Sequence, residues 1–488
     1  MKKYLIPLFA LLLFNIGCKS DDDGIVNTET PDPDPGSDVI AQNFMWQAMN
    51  LWYFWQGEVN DLSDTRFAND TEFTEFLEQN SDPSDFYFDV LLFEEDRFSF
   101  LNENYEELVS NLSGVSKSNG LEFGLVQFSG SEDVFGFVEY VLPDSDASTK
   151  EIKRGDIFTR VDGQQLNLGN YIDLLFGDND TYTLGLADIE NGTITDNSTE
   201  VSLTKIENQV ENPILVAKTL DVGGTKIAYL MYNRFLSNFN EELNAAFGQF
   251  VADGATELVL DMRYNPGGSV NTSRLLASMV HSTDTDKLYI RQRWNDKIQV
   301  QLSSAQLEDY FASSTGVTAI NTLNLSKVYV LATNSSASAS ELVMNGLAPY
   351  VDVVHIGETT RGKNEFSITL VDDPEGSFIY NEDREDEINS ENNWGIQPLV
   401  GRNENADGFF DYTSGLAPTY VLEEDLANLG ILGEPDEPLL ARAIEEITGG
   451  VSKRSFAVEM PAKSFTSSRI QTPLKDNMYL DKPLNLNK

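Results

Sequence analysis

The segment KVYVLATNSSASASELVMNGLAPY, residues 327–350, joins two apolar stretches of different periodicity through a serine-rich turn. KVYVLAT has the length and composition of a buried strand, whereas ELVMNGLAPY has apolar residues at helical spacing, including Leu342 and Leu347. The same succession recurs between residues 213 and 448, for example in ATELVLDMR followed by SVNTSRLLASMV. Buried strands that alternate with amphipathic helices are typical of layered α/β proteins, so we expect an α/β fold.

The composition limits the classes of partner and cofactor. Of the 488 residues, 33 are Lys or Arg and 79 are Asp or Glu, which gives a formal net charge of −46. This charge argues against nucleic acid and against electrostatic docking on anionic lipid. The single cysteine, Cys18, excludes intramolecular disulfides and cysteine-rich zinc sites, and His281 and His355 are too far apart in sequence for a local metal motif. We therefore expect no metal, no cofactor and no histidine-based triad.

The first residues, MKKYLIPLFALLLFNIGC, have the basic pair, apolar stretch and small residues of an export signal. The cysteine after Gly17 resembles that of the lipobox in bacterial lipoproteins, where it is lipidated and becomes the first residue of the mature chain. The resemblance implies lipidation at Cys18 and a place in the bacterial cell envelope, anchored by lipid to the outer membrane on its periplasmic or surface face. An ordinary signal peptide with an unrelated cysteine is the alternative.

Changes of pattern along the chain predict its domain boundaries. NFMWQAMNLWYFW begins an aromatic segment with helical spacing, short β-rich runs separated by Gly, Asp and Asn follow, and the last forty residues have little periodicity. The predicted parts are a signal peptide (1–17), a lipid-anchored flexible tether (18–38), a small N-terminal helical domain (39–112), a β domain (115–207), an α/β core (213–448) and a poorly ordered tail (449–488).

The turn between strand and helix allows two roles for Ser338. With Glu341 it forms an S-x-x-E capping box, so Ser338 could simply cap the helix. The first N–H groups of a helix also lack backbone partners, and they can stabilise an oxyanion beside a nucleophilic serine. Such a serine needs a base, and a lysine whose pKa is lowered by burial can serve. Lys363, in the turn of GETTRGKNEFSITL, is the candidate.

The combination of SASASE at residues 336–341 with Gly-Lys at 362–363 resembles the C-terminal processing (tail-specific) serine peptidases of family S41. The resemblance implies that Ser338 is the nucleophile and Lys363 the general base. It also implies an α/β peptidase core with ClpP- or crotonase-like layers.

LVLDMRYNPGGSV resembles the strand and diglycine turn of the same family. The resemblance implies an oxyanion hole formed by backbone N–H groups of Gly267, Gly268 and Ala339. Many members have a glutamine four residues after the lysine, where this chain has Ser367. We expect Ser367, or Glu365 on the same face of an extended strand, to support the lysine.

Residues 115–207 resemble a PDZ domain in the ordered pair FGLV and IKRGDIFTRVDGQ. In that family a loop with an apolar-Gly-apolar signature binds the C-terminal carboxylate of a peptide, which adds as an edge strand. The matching residues are Phe123, Gly124 and Leu125, beside the acidic Glu122.

The function that the resemblance implies is that of a lipid-anchored serine endopeptidase. It would cleave unfolded or C-terminally exposed polypeptides, with capture assisted by the PDZ-like domain. The alternative is a non-catalytic lipoprotein that keeps the fold and binds peptides or proteins. A retinoid- or lipid-binding function has no distinctive support in the sequence.

Overall fold

The computed structural model describes residues 39–190, 193–450, 464–471 and 476–481. The predicted signal peptide and tether, including Cys18, lie outside the described residues. Within the described ranges, no helix is both long and apolar enough to cross a membrane. The mixed α/β architecture expected from the sequence is confirmed, with several sheets and a helical N-terminal part.

The N-terminal part is mainly helical and packs directly on the α/β core. The Trp52 ring lies 5.9 Å from that of Trp294, and Phe44 lies 6.0 Å from Phe378. The two parts therefore share one hydrophobic core. The elements are α1 Ile40–Trp52, α2 Asp70–Gln79, α3 Pro83–Asp85, a π-helix Phe86–Leu91, β1 Phe100–Asn102 and α4 Tyr105–Leu112.

The following residues form the β domain, which has a hydrophobic core of its own. Its main sheet has the order β22-β3-β4-β5-β7-β8, in which β22 (Ser464–Ser467) comes from the C-terminal part of the chain. The elements are β2 Val115–Ser118, β3 Leu121–Gln127, β4 Val134–Val141, β5 Ile157–Val161, β6 Gln164–Gln165, α5 Tyr171–Phe176, β7 Thr181–Glu190, β8 Thr193–Thr204 and β9 Ile206–Val210.

The α/β core contains two six-stranded sheets. One has the order β10-β11-β12-β16-β17-β21, and the other has the order β13-β23-β18-β20-β14-β15, with β23 (Met478–Tyr479) again from the C-terminal part. The strands are β10 Ile214–Val222, β11 Thr225–Tyr232, β12 Glu257–Asp261, β13 Gly268–Ser269, β14 Leu288–Trp294, β15 Glu308–Tyr310, β16 Lys327–Ala332, β17 Asp352–Gly357, β18 Glu365–Ser367, β19 Gly395–Gln397, β20 Leu399–Asn405 and β21 Tyr420–Val421. The helices are α6 Asn240–Asp253, α7 Val270–Val280, α8 Asp296–Gln299, α9 Ser304–Leu307, α10 Ala339–Leu347 and α11 Pro438–Thr448.

The first of these sheets is buried on both faces. Along β11, Ala228 and Leu230 face the core that contains α6, α7 and α10, whereas Ile227 and Tyr229 face α11. Strands β12, β16 and β17 are adjacent and parallel. Their carboxyl ends therefore meet at one edge of the sheet, where open α/β sheets place their ligands.

A buried ion cluster fixes the end of β12. The fully buried Arg263 guanidinium pairs with Asp261 at 2.7 Å, Glu437 at 2.6 Å and Glu424 at 2.8 Å. Glu424 also pairs at 2.6 Å with Arg154 of the β domain. Because unpaired buried charges are costly, this cluster holds the chain that enters the diglycine turn in one arrangement.

The prediction of a poorly ordered tail is wrong for residues 464–471 and 476–481. Residues 464–471 form β22 and a 3-10 turn, Ser468–Gln471, and we call them the groove segment. Residues 476–481 include β23, and we call them the cleft segment. Both add to sheets through backbone hydrogen bonds, which require no apolar periodicity in the added strand.

Candidate active site

Ser338 occupies a strained turn between β16 and α10. Its φ of +64° and ψ of −114° place a non-glycine residue in a sparsely populated region of backbone space. The side chain is fully buried, and its Oγ has no hydrogen-bond partner among the described residues. A buried, unpartnered hydroxyl on a strained turn is unusual for a residue that serves only as a helix cap.

The neighbouring serines hold the turn in place. Ser336 Oγ donates to the carbonyl oxygen of Met262 at 2.7 Å, and Ser340 Oγ donates to that of Asn265 at 2.9 Å. Both carbonyls belong to the segment that follows β12. These two hydroxyls therefore have structural partners, which leaves Ser338 available for chemistry.

Lys363 lies in the loop between β17 and β18 and is almost completely buried. Burial disfavours the charged ammonium and lowers the pKa of Lys363 to about 8, against the opposing charges of Asp476, Glu365 and others. The Phe98 ring centroid lies 4.9 Å from Nζ. A lysine in this environment can be neutral near physiological pH and can accept a proton.

The Glu341 carboxylate links the serine turn to the lysine loop. It accepts hydrogen bonds from the backbone N–H groups of Ser338 at 2.8 Å, Gly362 at 2.7 Å and Lys363 at 2.9 Å, and from Thr360 Oγ1 at 2.5 Å. Burial raises the pKa of Glu341 to about 7, although these donors favour the ionised form. One carboxylate therefore fixes the backbone of both candidate catalytic residues.

The diglycine turn lies against Ser338. Gly267 and Gly268 have φ values of +113° and +133°. A Cβ at Gly267 would lie 2.6 Å from Ser338 Cβ, and one at Gly268 would lie 2.2 Å from the Phe235 carbonyl oxygen. Both positions therefore require glycine for space as well as for conformation.

The three predicted oxyanion donors differ in their surroundings. The Gly267 N–H donates to Asn265 Oδ1 at 2.9 Å, so this amide is already engaged. Ala339 is the first residue of α10, where a backbone N–H has no carbonyl partner within the helix. An oxyanion hole formed by Ala339 and Gly268 remains a prediction.

The cleft segment passes beside these residues as a strand. Strand β23 lies between β13 and β18 and is parallel to both, with Met478 opposite Gly268 and Tyr479 opposite Ser367. Lys363 Nζ donates to the carbonyl oxygen of Asp476 at 2.5 Å. The candidate base is therefore bonded to the chain's own backbone and not to Ser338.

Ser367 does not support Lys363 in the expected way. Its Oγ lies 2.8 Å from Asn477 Oδ1 and 3.1 Å from the Met478 carbonyl oxygen, so it bonds to the cleft segment. The Glu365 charge raises the pKa of Lys363 without a hydrogen bond between the two side chains among the described residues. Side-chain alternation along an extended strand predicted that Ser367 and Glu365 share a face with Lys363. It did not predict the groups with which they form hydrogen bonds.

The histidines have other partners. His281 Nδ1 and His355 Nε2 lie 2.9 and 3.1 Å from the carbonyl oxygens of Leu325 and Ala332. Within residues 39–190, 193–450, 464–471 and 476–481, no group of His, Cys, Asp and Glu has the arrangement of a metal site.

Comparison with known proteins identifies two regions of similarity. The family model for peptidase family S41 matches residues 226–398, and the model for the peptidase S41 N-terminal domain matches residues 41–100. The region that contains Ser338 and Lys363 therefore belongs to peptidase family S41.

Individual S41 relatives are distant. The carboxyl-terminal-processing protease of Picosynechococcus sp. is 24% identical over 288 residues, which cover 56% of this chain and 61% of the relative. The chloroplastic carboxyl-terminal-processing peptidase 1 of Arabidopsis thaliana is 26% identical over 226 residues, 45% of this chain and 42% of the relative. The matches thus span less than two thirds of these curated relatives. A solved S41 protease structure from Bacteroides fragilis is 25% identical, has a TM-score of 0.65, and covers 83% of this chain and 97% of its own.

The three residues that carry the PDZ-like sequence signature lie in a strand and not in a loop. Phe123, Gly124 and Leu125 belong to β3, which pairs with β4 on one side and with β22 on the other. The Phe123 N–H donates to Ser468 Oγ of the groove segment at 3.0 Å. The loop expectation is therefore wrong, since these residues pair along a sheet.

Sequence reasoning missed the N-terminal contribution to this S41 site. Arg97 Nη2 donates to the Gly362 carbonyl oxygen at 2.6 Å, the Asp96 charge raises the pKa of Lys363, and Phe98 covers its ammonium. No local pattern in residues 96–98 indicates a partner more than 260 positions away. Glu341 was visible only as half of a capping box.

We predict that Glu341→Gln destabilises the protein. A glutamine has one acceptor oxygen, and its NH₂ group would face N–H donors that then lose their acceptor. Leaving such groups buried and unpaired costs about 1–3 kcal/mol. The urea midpoint should therefore fall. Glu242→Gln, an exposed residue in the first turn of α6, is the control, and equal midpoints for both variants would contradict the linking role of Glu341.

Proposed function

We propose that this chain is a serine endopeptidase that uses a Ser338–Lys363 dyad. The observation that carries the proposal is a buried, unpartnered serine hydroxyl and a buried lysine of lowered pKa held by one carboxylate, Glu341. The family assignment and the names of the curated relatives support the same reaction class.

The residues suggest a sequence of steps. Neutral Lys363 accepts the proton of Ser338 Oγ as the oxygen attacks the carbonyl carbon of a peptide bond. Backbone N–H groups of Ala339 and Gly268 stabilise the resulting oxyanion. The C–N bond then breaks, and the leaving amine takes the proton from Lys363. Water next attacks the acyl-enzyme while Lys363 accepts its proton. The bond between the acyl carbon and Ser338 Oγ then breaks, Oγ takes the proton back from Lys363, and the acid product leaves.

The proposed substrates are unfolded polypeptides or polypeptides with exposed C-termini. The cleft segment supports an extended substrate, because it lies as a strand between β13 and β18 with its backbone carbonyl on Lys363. The β domain supports capture by strand addition, since β3 accepts an added strand along one edge. We propose that this domain is PDZ-like and presents substrate to the cleft.

A non-catalytic peptide-binding lipoprotein is the second candidate. One observation favours it. Lys363 and Ser367 both form hydrogen bonds with the cleft segment, and within the described residues Lys363 has no hydrogen bond to Ser338. In this alternative the two strand-accepting edges would bind polypeptide without cleaving it.

We also propose a location in the bacterial cell envelope, with lipid on Cys18 anchoring the chain to the outer membrane. The support is the signal-like stretch before Cys18, the acidic, proline-rich stretch after it and the absence of any other cysteine in the sequence.

Removal of either dyad member should abolish turnover of a fluorescently labelled unfolded protein with an apolar C-terminus. Ser338→Ala removes the nucleophile, and Lys363→Ala and Lys363→Arg remove the base, because a guanidinium remains protonated. Ser336→Ala and Ser340→Ala should keep much more activity, with thermal unfolding as the check on folding. Full proteolysis by folded Ser338→Ala would contradict the dyad, and an inert wild type would favour the binding protein.

The rate should depend on pH through Lys363. The reactive form is the neutral amine, which predominates above the pKa of about 8. Because kcat/KM reports the free enzyme, in which Lys363 is buried beside Asp476, its midpoint should lie at about 8. The rate should fall about tenfold per pH unit below the midpoint. A midpoint near the value of about 10.4 for free lysine would exclude Lys363 as the base.

Lipidation predicts a specific mature N-terminus. Mass spectrometry of protein from a bacterial envelope should show a chain that begins at Cys18 with acyl groups attached, and Cys18→Ser should shift the protein to the soluble fraction. An unmodified Cys18 within a longer or differently cut chain would refute the anchor.

A further inference from the structure

The groove segment occupies the strand-accepting edge of the β domain. Strand β22 runs antiparallel to β3, with Ser467 opposite Gly124 and Thr466 opposite Leu125. The Phe465 ring meets the Tyr171 ring of α5 edge-on at 5.5 Å. The groove between β3 and α5 therefore holds an internal stretch of the chain and not a chain end.

Arg469, two residues after this strand, places a cation in an acidic pocket, which we define as Glu122, Glu139 and Glu211. The guanidinium of Arg469 is 3% exposed and donates to Glu211 Oε1 at 3.2 Å and to the Asn233 carbonyl oxygen at 2.8 Å. It also donates to the hydroxyl of Tyr140. A planar group with several donors fits this arrangement of acceptors.

The pocket needs a positive charge from its ligand. Burial raises the pKa of Glu139 to about 8 and that of Glu211 to about 7, and the Glu122 charge acts in the same direction on both. Two other arginines lie beside the pocket: Arg234 pairs with its Glu211 at 3.4 Å, and Arg154 pairs with Glu424 at 2.6 Å outside it. The Arg469 charge lowers the pKa of Glu139, so an arginine in the pocket favours the ionised carboxylate.

The neighbouring Ser468 explains why a free carboxylate is a poor ligand here. Its Oγ accepts from the Phe123 N–H at 3.0 Å and donates to Glu122 Oε2 at 2.5 Å. A peptide carboxylate at this position would meet the negative charge of Glu122. A serine hydroxyl satisfies both groups because it can donate and accept.

We propose that the acidic pocket recognises an arginine side chain within an internal, extended stretch of polypeptide, and that the groove segment is its resident ligand. This inference rests on the proposed role of the β domain in capturing polypeptide. A substrate strand must displace the groove segment, and a strand that supplies its own arginine does so best. The cleft segment, whose Asp476 carbonyl oxygen accepts from Lys363, must also leave the catalytic cleft before a substrate can occupy it.

The binding test uses the full chain with Ser338→Ala and a peptide of residues 464–471 with acetylated and amidated ends. Adding Arg469→Ala should vacate the pocket and tighten peptide binding at least about tenfold, because the tethered segment no longer competes. Replacing the peptide's arginine by glutamine should weaken binding to this double variant at least about tenfold, as expected for lost charged hydrogen bonds. Arg66→Ala, which removes a partly exposed pair with Asp61, is the matched control.

Two results would overturn the proposal. The first is equal binding of the arginine and glutamine peptides to the double variant. The second is tighter binding of a peptide with a free C-terminal carboxylate than of the amidated peptide. If Arg469→Ala does not fold, Glu122→Gln in the full chain decides: it should reduce the discrimination between the two peptides, and undiminished discrimination would count against the pocket.

Turnover separates this inference from the proposed function. In the chain with Ser338 intact, Arg469→Ala should raise the rate of cleavage of an unfolded protein severalfold, and Arg66→Ala should not change it. Arginine-dependent peptide binding without turnover in any variant would refute the peptidase function and support the pocket. Turnover together with peptide binding that does not depend on arginine would support the peptidase function and refute the pocket.

Discussion

The buried carboxylate of Glu341 is the constraint on which the catalytic geometry depends. An ionised carboxylate away from water is stable only when hydrogen bonds replace its solvation, and the four donors around Glu341 come from two separate loops. Satisfying the acid therefore brings the turn of Ser338 and the loop of Lys363 into one fixed relation. The same bonds stabilise the unfavourable backbone conformation of Ser338, because the strained N–H is one of the donors.

The buried guanidinium of Arg263 fixes the segment after β12, which forms the other side of the cleft. Arg263 is held by three carboxylates, and its carbonyl oxygen accepts from the Thr333 hydroxyl at the start of the serine turn. The segment after β12 is thus tied to the segment after β16, so Gly267 lies directly against Ser338. Adjacent parallel strands supply the two segments, and the polar contacts between them fix their distance. The site is consequently a product of the sheet edge and of two buried ionic clusters.

The sequence was sufficient for features that depend on local pattern and insufficient for those that depend on partners far along the chain. Buried strands, amphipathic helices and the turn at Ser338 follow from periodicity and from the change of pattern between strand and helix. The positions of the groove and cleft segments do not, because short strands added through backbone hydrogen bonds leave no periodic trace. Ser367 illustrates the limit: its face of the strand was predictable, but its partner belongs to residues 477 and 478.

Strands β22 and β23 both come from the C-terminal part of the chain. Strand β22 occupies the edge of the β domain, and β23 lies in the candidate active site. Lys363 is buried partly because the cleft segment covers it, and the Asp476 charge in that segment favours its protonated, unreactive form. The groove segment has the corresponding effect on the β domain, where Arg469 neutralises carboxylates that would otherwise repel one another. Departure of both segments would thus free the cleft, remove the Asp476 charge from beside Lys363 and leave the acidic pocket without its cation. The vacated acidic pocket would then favour the next cationic strand, which links capture of a polypeptide to opening of the catalytic cleft.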